Sequence, residues 1–209
     1  ITVENISEKL SSSELDHIFK GQLDTAGITT EDSSKKFKFI HLNGAHVPYI
    51  YDKEMNIINE WDGTYEQSTQ ATLFGAMDYV EQLRESGAYD NTTIIVMSDH
   101  GFNGNLAQNG DATWMRQCAM LLVKGRNEHH DTMQISQAPI SFEDLQEAYV
   151  RLLDGEQSDS VFDWKEGDAR ERRFLRYSFL DDSHMQEYMQ TGYASDMDTM
   201  ILTGREYNR

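Results

Sequence analysis

The chain has 209 residues, 38% hydrophobic and 11% aromatic, with only 2 prolines, a composition that supports a packed core and excludes a long disordered tract. Its 36 acidic residues against 18 basic ones leave a net charge of -18, which excludes nucleic acid as the expected partner, since phosphate backbones are met by clustered Lys and Arg. The same charge repels an anionic substrate at long range, so such a substrate would require a local reversal of sign, most economically by a bound divalent cation.

The opening 36 residues are polar, with a short helix expected over 13–20, carrying Leu15, Ile18 and Phe19 on one side and stopping at Gly21. Residues 29–36 read as a loop. Residues 37–42 (FKFIHL) read as a core strand that ends in polar groups: His41, Asn43, Gly44 and His46. An acidic connection over 52–63 leads to Thr64-Tyr65-Glu66-Gln67, a capping-box pattern that opens a helix. Leu73, Ala76, Met77, Val80 and Leu83 recur at helical spacing through that helix, and Gly87 is placed to stop it.

The run Thr93-Ile94-Ile95-Val96-Met97 is β-branched and uninterrupted, the pattern of a strand buried on both faces, and it halts at Ser98-Asp99-His100-Gly101. In open α/β sheets the chemistry lies beyond the carboxyl ends of such strands. Residues 103–113 are rich in Asn, Gly, Asp and Gln and read as a loop beside Asp99 and His100. A third core strand is expected over 118–123, a polar loop over 124–135, and a helix from Phe142 that Gly155 ends. Beyond Gly155, short aromatic runs at 174–180, 187–193 and 200–207 suggest a small antiparallel sheet.

The expected fold is therefore α/β: a mainly parallel sheet with helices on both faces, spanning 1–155, plus a small antiparallel C-terminal subdomain at 156–209. The single cysteine, Cys118, lies in an apolar run, so no intrachain disulfide forms and an inert buried thiol is expected. No apolar segment approaches the length of a membrane span. The chain begins at Ile1, without an initiator Met, and reads as a piece of a larger protein.

Asp99 and His100 are hard-to-borderline ligands that suit a divalent metal such as zinc or manganese. Together with His41-Leu42-Asn43-Gly44-Ala45-His46-Val47-Pro48-Tyr49, and with a long helix between the two motifs, the Met97-Ser98-Asp99-His100-Gly101 stretch resembles the C-terminal half of the alkaline phosphatase superfamily. The resemblance is to the sulfatase-like branch, which includes lipoteichoic acid synthases, lipid A phosphoethanolamine transferases and arylsulfatases. It covers roughly 37–155, and the last stretch, 172–209, resembles the tail strands of bacterial membrane-anchored members.

What the resemblance implies is a metal-dependent enzyme that hydrolyses or transfers a sulfate or phosphate ester on cell-surface glycans, lipids or polymers. Asp99 and His100 match the metal-ligating pair, the ion being Zn, Mn, Ca or Mg. His46 matches the histidine that meets the transferred group, and His41 and Asn43 match supporting positions. The implied location is the extracytoplasmic face of a bacterial membrane, or secreted, with a membrane-anchored parent. The family's nucleophile and first acidic ligand lie in an N-terminal half that nothing before Phe37 matches, so that half is an expected partner. The loop over 102–113 contains no His, against a two-metal site. A fragment that keeps the fold without catalysis is the alternative. His17, His129, His130 and His184 read as ordinary surface histidines.

Overall fold

The computed structural model describes residues 14–30, 35–101, 118–155, 161–178 and 181–208. The chain divides into two units, Ile1–Thr92 and Thr93–Arg209.

In the first unit, helix α1 (Leu15–Ala26) runs past the glycine expected to stop it. A Cβ at Gly21 would meet nothing within 4 Å, so this glycine costs the helix only propensity, on the order of 1 kcal/mol relative to Ala. Two residues on, Leu23 is buried, and that packing carries the helix forward. It ends instead at Gly27, whose φ of 63° admits the turn and whose N–H donates to the Leu23 carbonyl. Helix α2 (Tyr65–Glu85) begins with the capping box expected from Thr64 and Gln67. The Gln67 N–H donates to Thr64 Oγ1 at 3.2 Å and the Thr64 N–H to Gln67 Oε1 at 3.1 Å. Its far end is a Schellman turn: Ala88 N–H donates to Leu83 O and Gly87 N–H to Arg84 O, with Gly87 at φ 74°.

The two helices meet through the stacked rings of Phe19 and Tyr79, and through the Gln82 side chain, which donates to Leu23 O. The buried centre of this unit is Tyr51, Met55 and Ala71, with Ile50 packed against it. Met55 takes φ 66° to reach that centre. Tyr51 and Ile57 form an isolated antiparallel bridge across the turn that presents it.

Residues 37–42, expected as a core strand, form no strand. Phe37 is 58% exposed and Phe39 78%. The run has the composition of a strand, yet strand structure is completed by hydrogen bonds to a neighbour, and the neighbour is not encoded in the run itself.

In the second unit, β1 (Ile94–Met97) and β2 (Leu121–Lys124) occur where two core strands were expected, but they pair antiparallel, with Ile94 opposite Lys124 and Met97 opposite Leu121. Beyond the ladder, Ser98 N–H donates to Met120 O and Met120 N–H to Ser98 Oγ. The expected doubly covered parallel sheet is thus corrected: the described sheets are a two-stranded and a three-stranded one, both antiparallel. Every residue of β1 is only half-buried, and Leu122 and Val123 of β2 are exposed. An apolar run marks strand propensity; direction and coverage depend on the partners.

Helix α3 (Phe142–Asp154) begins at Ser141, whose N–H donates to Asp144 Oδ2 at 2.6 Å, and ends at Gly155 in the left-handed region. Its Tyr149 hydroxyl lies 3.7 Å from Met97 Sδ of β1. Asp144 also accepts from Trp164 Nε1 and Arg170 Nη1, and the Arg170 guanidinium stacks over the Trp164 ring. Burial pushes the Asp144 carboxyl up, but the bonds from Arg170, Ser141 and Trp164 outweigh it and hold it below its ordinary value.

The C-terminal meander is β3 (Arg172–Ser178), β4 (Asp181–Gln190) and β5 (Met200–Asn208), antiparallel in the order β3-β4-β5. Its register shifts between Gln186 and Tyr188, where Gln186 faces Glu206 and Tyr188 faces Leu202. Gly204, at φ 80°, lies in the resulting bulge of β5. Opposite it, the buried Glu187 carboxylate accepts from Arg173 Nη1 of β3 at 2.9 Å, and from Thr203 Oγ1 and Tyr207 Oη of β5 at 2.9 and 3.1 Å. One carboxylate thereby ties all three strands.

Candidate functional site

Asp99, His100 and Gly101 follow directly on β1, so the end of that strand fixes where they emerge. The Asp99 side chain is 86% exposed, and its Oδ1 accepts the His100 N–H at 2.9 Å. His100 Nδ1 lies 2.7 Å from the Gly101 carbonyl oxygen. A carbonyl can only accept, so Nδ1 carries the proton, and the neutral ring keeps its lone pair on Nε2. That Nε2 stands 3.4 Å from Asp99 Oδ2. Two donors about 2.1 Å from one zinc ion at the tetrahedral angle stand roughly 3.4 Å apart. The same separation is that of a direct ion pair between Asp99 and a protonated His100, so the span serves a shared cation or the pair's own salt bridge. Among the described residues, no three His, Cys, Asp or Glu side chains gather into a metal-ligand set.

His46 is in the first unit, exposed, with Nδ1 2.6 Å from the Val47 carbonyl oxygen. By the same reasoning its Nδ1 carries a proton and donates it to that carbonyl. His41 is exposed beside the ring of Phe39, 6.4 Å between centroids. Asn43 is half-buried and supports the turn through its backbone rather than its amide: Asn43 N–H donates to Asp16 Oδ1 and Gly44 N–H to Asp16 Oδ2, each at 2.8 Å. His46, His41 and Asn43 thus belong to one unit, and Asp99 and His100 to the other. The loop over 102–113 lies outside the described residues.

No family model, curated protein or solved structure matches this chain. Its chemistry is therefore read from its own residues.

Asp16 escaped sequence reasoning. An acid in the first turn of a helix reads as a favourable charge at the positive end of the helix dipole, and its pattern carries no hint of a partner 27 residues away. Yet Asp16 is 2% exposed and both its oxygens are committed to the turn before His46. Burial raises its pKa against the opposing pull of the two amides and of His41. Next to it, the His17 N–H donates to Tyr51 Oη, and Nδ1–H of its ring to Met55 O at 3.0 Å. Burial, the adjacent charges of Asp16 and Glu14 adding to it, pushes the Tyr51 phenol up to about 12, so it stays neutral.

Cys118 is half-buried, its Sγ donating to Ala194 O, and burial raises its pKa above the ordinary thiol value despite the cation of Arg172. A neutral thiol is a poor nucleophile. Among the described helices none is long and apolar enough to cross a membrane.

Proposed function

We propose that this chain is the C-terminal portion of a sulfatase-like metalloenzyme that hydrolyses or transfers a sulfate or phosphate ester on a glycan, lipid or polymer, at the extracytoplasmic face of a membrane or in secreted form. The observation that carries the proposal is the Asp99–His100 pair at the end of β1, with Nε2 and a carboxylate oxygen 3.4 Å apart. Resemblance of the two motifs to the sulfatase-like branch supports it. A divalent cation held there, whether Zn, Mn, Ca or Mg, supplies Lewis acidity toward the ester oxygens and offsets the repulsion of an anionic substrate by a chain of charge -18. His100 would hold the cation through Nε2, with Gly101 O orienting its ring, the outer-partner arrangement usual for metal-binding histidines. By the same resemblance, His46 would meet an oxygen of the transferred group or the leaving group. By the resemblance, the nucleophile and the first acidic ligand would be supplied by an N-terminal half of the parent enzyme.

The test has two arms. Substoichiometric Mn²⁺ added to the isotopically labelled chain should broaden the amide resonances of Asp99, His100 and Gly101 first, and Asp99→Asn should remove that selectivity. In the whole enzyme, Asp99→Asn should lower turnover of p-nitrophenyl phosphate or sulfate beyond the roughly 100-fold that loss of an outer-shell partner costs. His46→Ala should lower kcat with most of the metal retained. Broadening spread evenly over the acidic surface, together with full activity in Asp99→Asn, would leave the chain as a non-catalytic domain.

A further inference from the structure

Two consecutive residues of α1 hold the segment that runs from Asn43 to Met55, one near each end. Asp16 accepts the Asn43 N–H at Oδ1 and the Gly44 N–H at Oδ2, each at 2.8 Å. His17 donates its backbone N–H to Tyr51 Oη and its ring Nδ1–H to Met55 O at 3.0 Å. Between the two grips His46, Val47 and Pro48 are exposed, so the stretch leans on its ends. The turn at 43–44 is shaped for its grip: Gly44 sits at φ 64°, and Thr72 of α2 closes the other side, 3.5 Å from where a Cβ would stand.

The two grips answer differently to a proton. His17 bonds through Nδ1, which carries its hydrogen both in the neutral tautomer that Met55 O selects and in the imidazolium. Tyr51, its phenol pushed up to about 12, stays a neutral acceptor across the acid and neutral range. The His17 end is therefore indifferent to pH. At the other end the Asp16 carboxyl meets two N–H donors and needs both oxygens as acceptors, whereas a protonated carboxyl turns one of them into a hydroxyl. Against this, Asp16 is 2% exposed, and a buried charge is costly. Burial is the stronger influence and raises the pKa, although the two amides and His41 pull it down. A proton on Asp16 thus relieves the burial of charge while giving up one amide bond, so the turn loosens and the helix packing does not suffer.

We infer that Asp16 is the acid-responsive half of a two-point clasp: on taking a proton its carboxyl lets go of one of the two amides and loosens the 43–44 turn from α1, while His17 keeps residues 51–55 in place. The clasp lies wholly within the first unit and stands apart from the functional reading above. The titratable groups around the carboxyl are Glu14 and His17 on α1, His41 ahead of the turn, and Tyr51 in the held segment. Lys20, one turn along α1, is paired with Asp24 and with Asp78 of α2. At the turn itself α2 brings Thr72, which does not titrate. His41 as a cation steadies the ionised carboxyl, so the proton that opens the clasp is the one Asp16 takes.

Amide proton shifts and hydrogen exchange of the isotopically labelled chain, followed by NMR from neutral to acid pH, test this. The Asn43 and Gly44 amide protons should move with one shared midpoint, above the ordinary aspartate value of about 3.9. Below that midpoint the protection of at least one of them, corrected for intrinsic exchange, should fall by about tenfold, the effect of losing one hydrogen bond. The amides of Leu23 and Ala71, within the helices, should keep their protection. Asp16→Asn, which offers one acceptor oxygen and no charge, should show the acid-form values at every pH. Asn43 and Gly44 amides that do not move, or protection lost at Leu23 and Ala71 with the same midpoint, would overturn the inference, and both are read on the unaltered chain. A titration of the two amides that persists in Asp16→Asn would overturn it as well, since the proton would then belong to another group.

Discussion

At the scale of single residues, two glycines show how one atom's surroundings decide the outcome of the same substitution. A Cβ on Gly63 would overlap the Tyr49 carbonyl oxygen, a backbone atom that cannot turn aside. On Gly75, inside α2, it would stand 2.8 Å from Met55 Cε, the tip of a flexible side chain. Gly63→Ala should therefore destabilise by about 2 to 3 kcal/mol, the range of forced overpacking. Gly75→Ala gains helix propensity while asking only that a methyl group move, so it should fall within about 1 kcal/mol of the parent. Urea midpoints of the two variants check this, and the order reversed would mean that the loop at Tyr49 yields more readily than the Met55 core. Neither contact is legible in the sequence, where both residues are simply Gly. The same holds for Asp16, whose partners lie 27 and 28 residues along the chain. Among the described residues His100 bonds its immediate neighbours, Asp99 and Gly101, so its contacts are local in a way those of Asp16 are not.

Among elements, helices α2 and α3 were legible because their starts and stops are local chemistry: Thr64 with Gln67, Ser141 with Asp144, Gly87 and Gly155 at the ends. Strands were legible unevenly: the runs at β1, β2 and the C-terminal meander form strands while 37–42 forms none, and the antiparallel pairing of β1 with β2 was not legible. The C-terminal meander adds a feature no strand pattern discloses, the buried Glu187 tying β3 to β5 across β4. Burial alone would raise the pKa of this carboxyl, yet the bonds from Thr203, Tyr207 and Arg173 outweigh it and hold it below its ordinary value. Because the folded pKa is depressed, the native state binds fewer protons than the unfolded chain across the window between the two. The contribution is then present above the unfolded glutamate value and lost as pH falls through the folded one. Asp144 has the same sign. Glu187→Gln should accordingly lower the melting temperature at pH 7 and flatten its decline on acidification below about pH 4.5. A variant whose acid profile parallels that of the parent would show that Glu187 is not one of the groups the sheet depends on.

For the whole molecule, charge is the governing quantity. A net charge of -18 opposes compaction at pH 7, while the attractive pairs the structure describes are mostly at exposed positions, where each contributes about 0 to 1 kcal/mol. Screening should therefore remove more repulsion than attraction. Raising NaCl from about 20 to about 300 mM, which shortens the Debye length to below ~10 Å, should raise the melting temperature at pH 7, and the gain should vanish near the isoelectric point of 4.6. A fall in melting temperature with salt at pH 7 would mean that partly buried pairs such as Arg170–Asp144 outweigh the general field. On acidification the neutralised surface and the protonated tying carboxylates act in opposite directions. Asp16, with its raised pKa, sides with the surface, since its protonated form is the one folding favours.

By itself the sequence determined what depends on near neighbours: the capping boxes that open α2 and α3, the glycines that close them, and the emergence of Asp99 and His100 at the end of an apolar strand. Only the tertiary structure decided what depends on partners remote along the chain. It paired β1 with β2 antiparallel where a parallel sheet was expected, left residues 37–42 without a ladder, and brought Asp16 to the turn before His46. The physical reason is the range of the forces involved. Capping, propensity and turn chemistry act over about four residues, within a single window of letters. Strand direction, burial and the grip of a buried carboxylate are settled by whichever distant groups satisfy the remaining hydrogen bonds at least cost in desolvation.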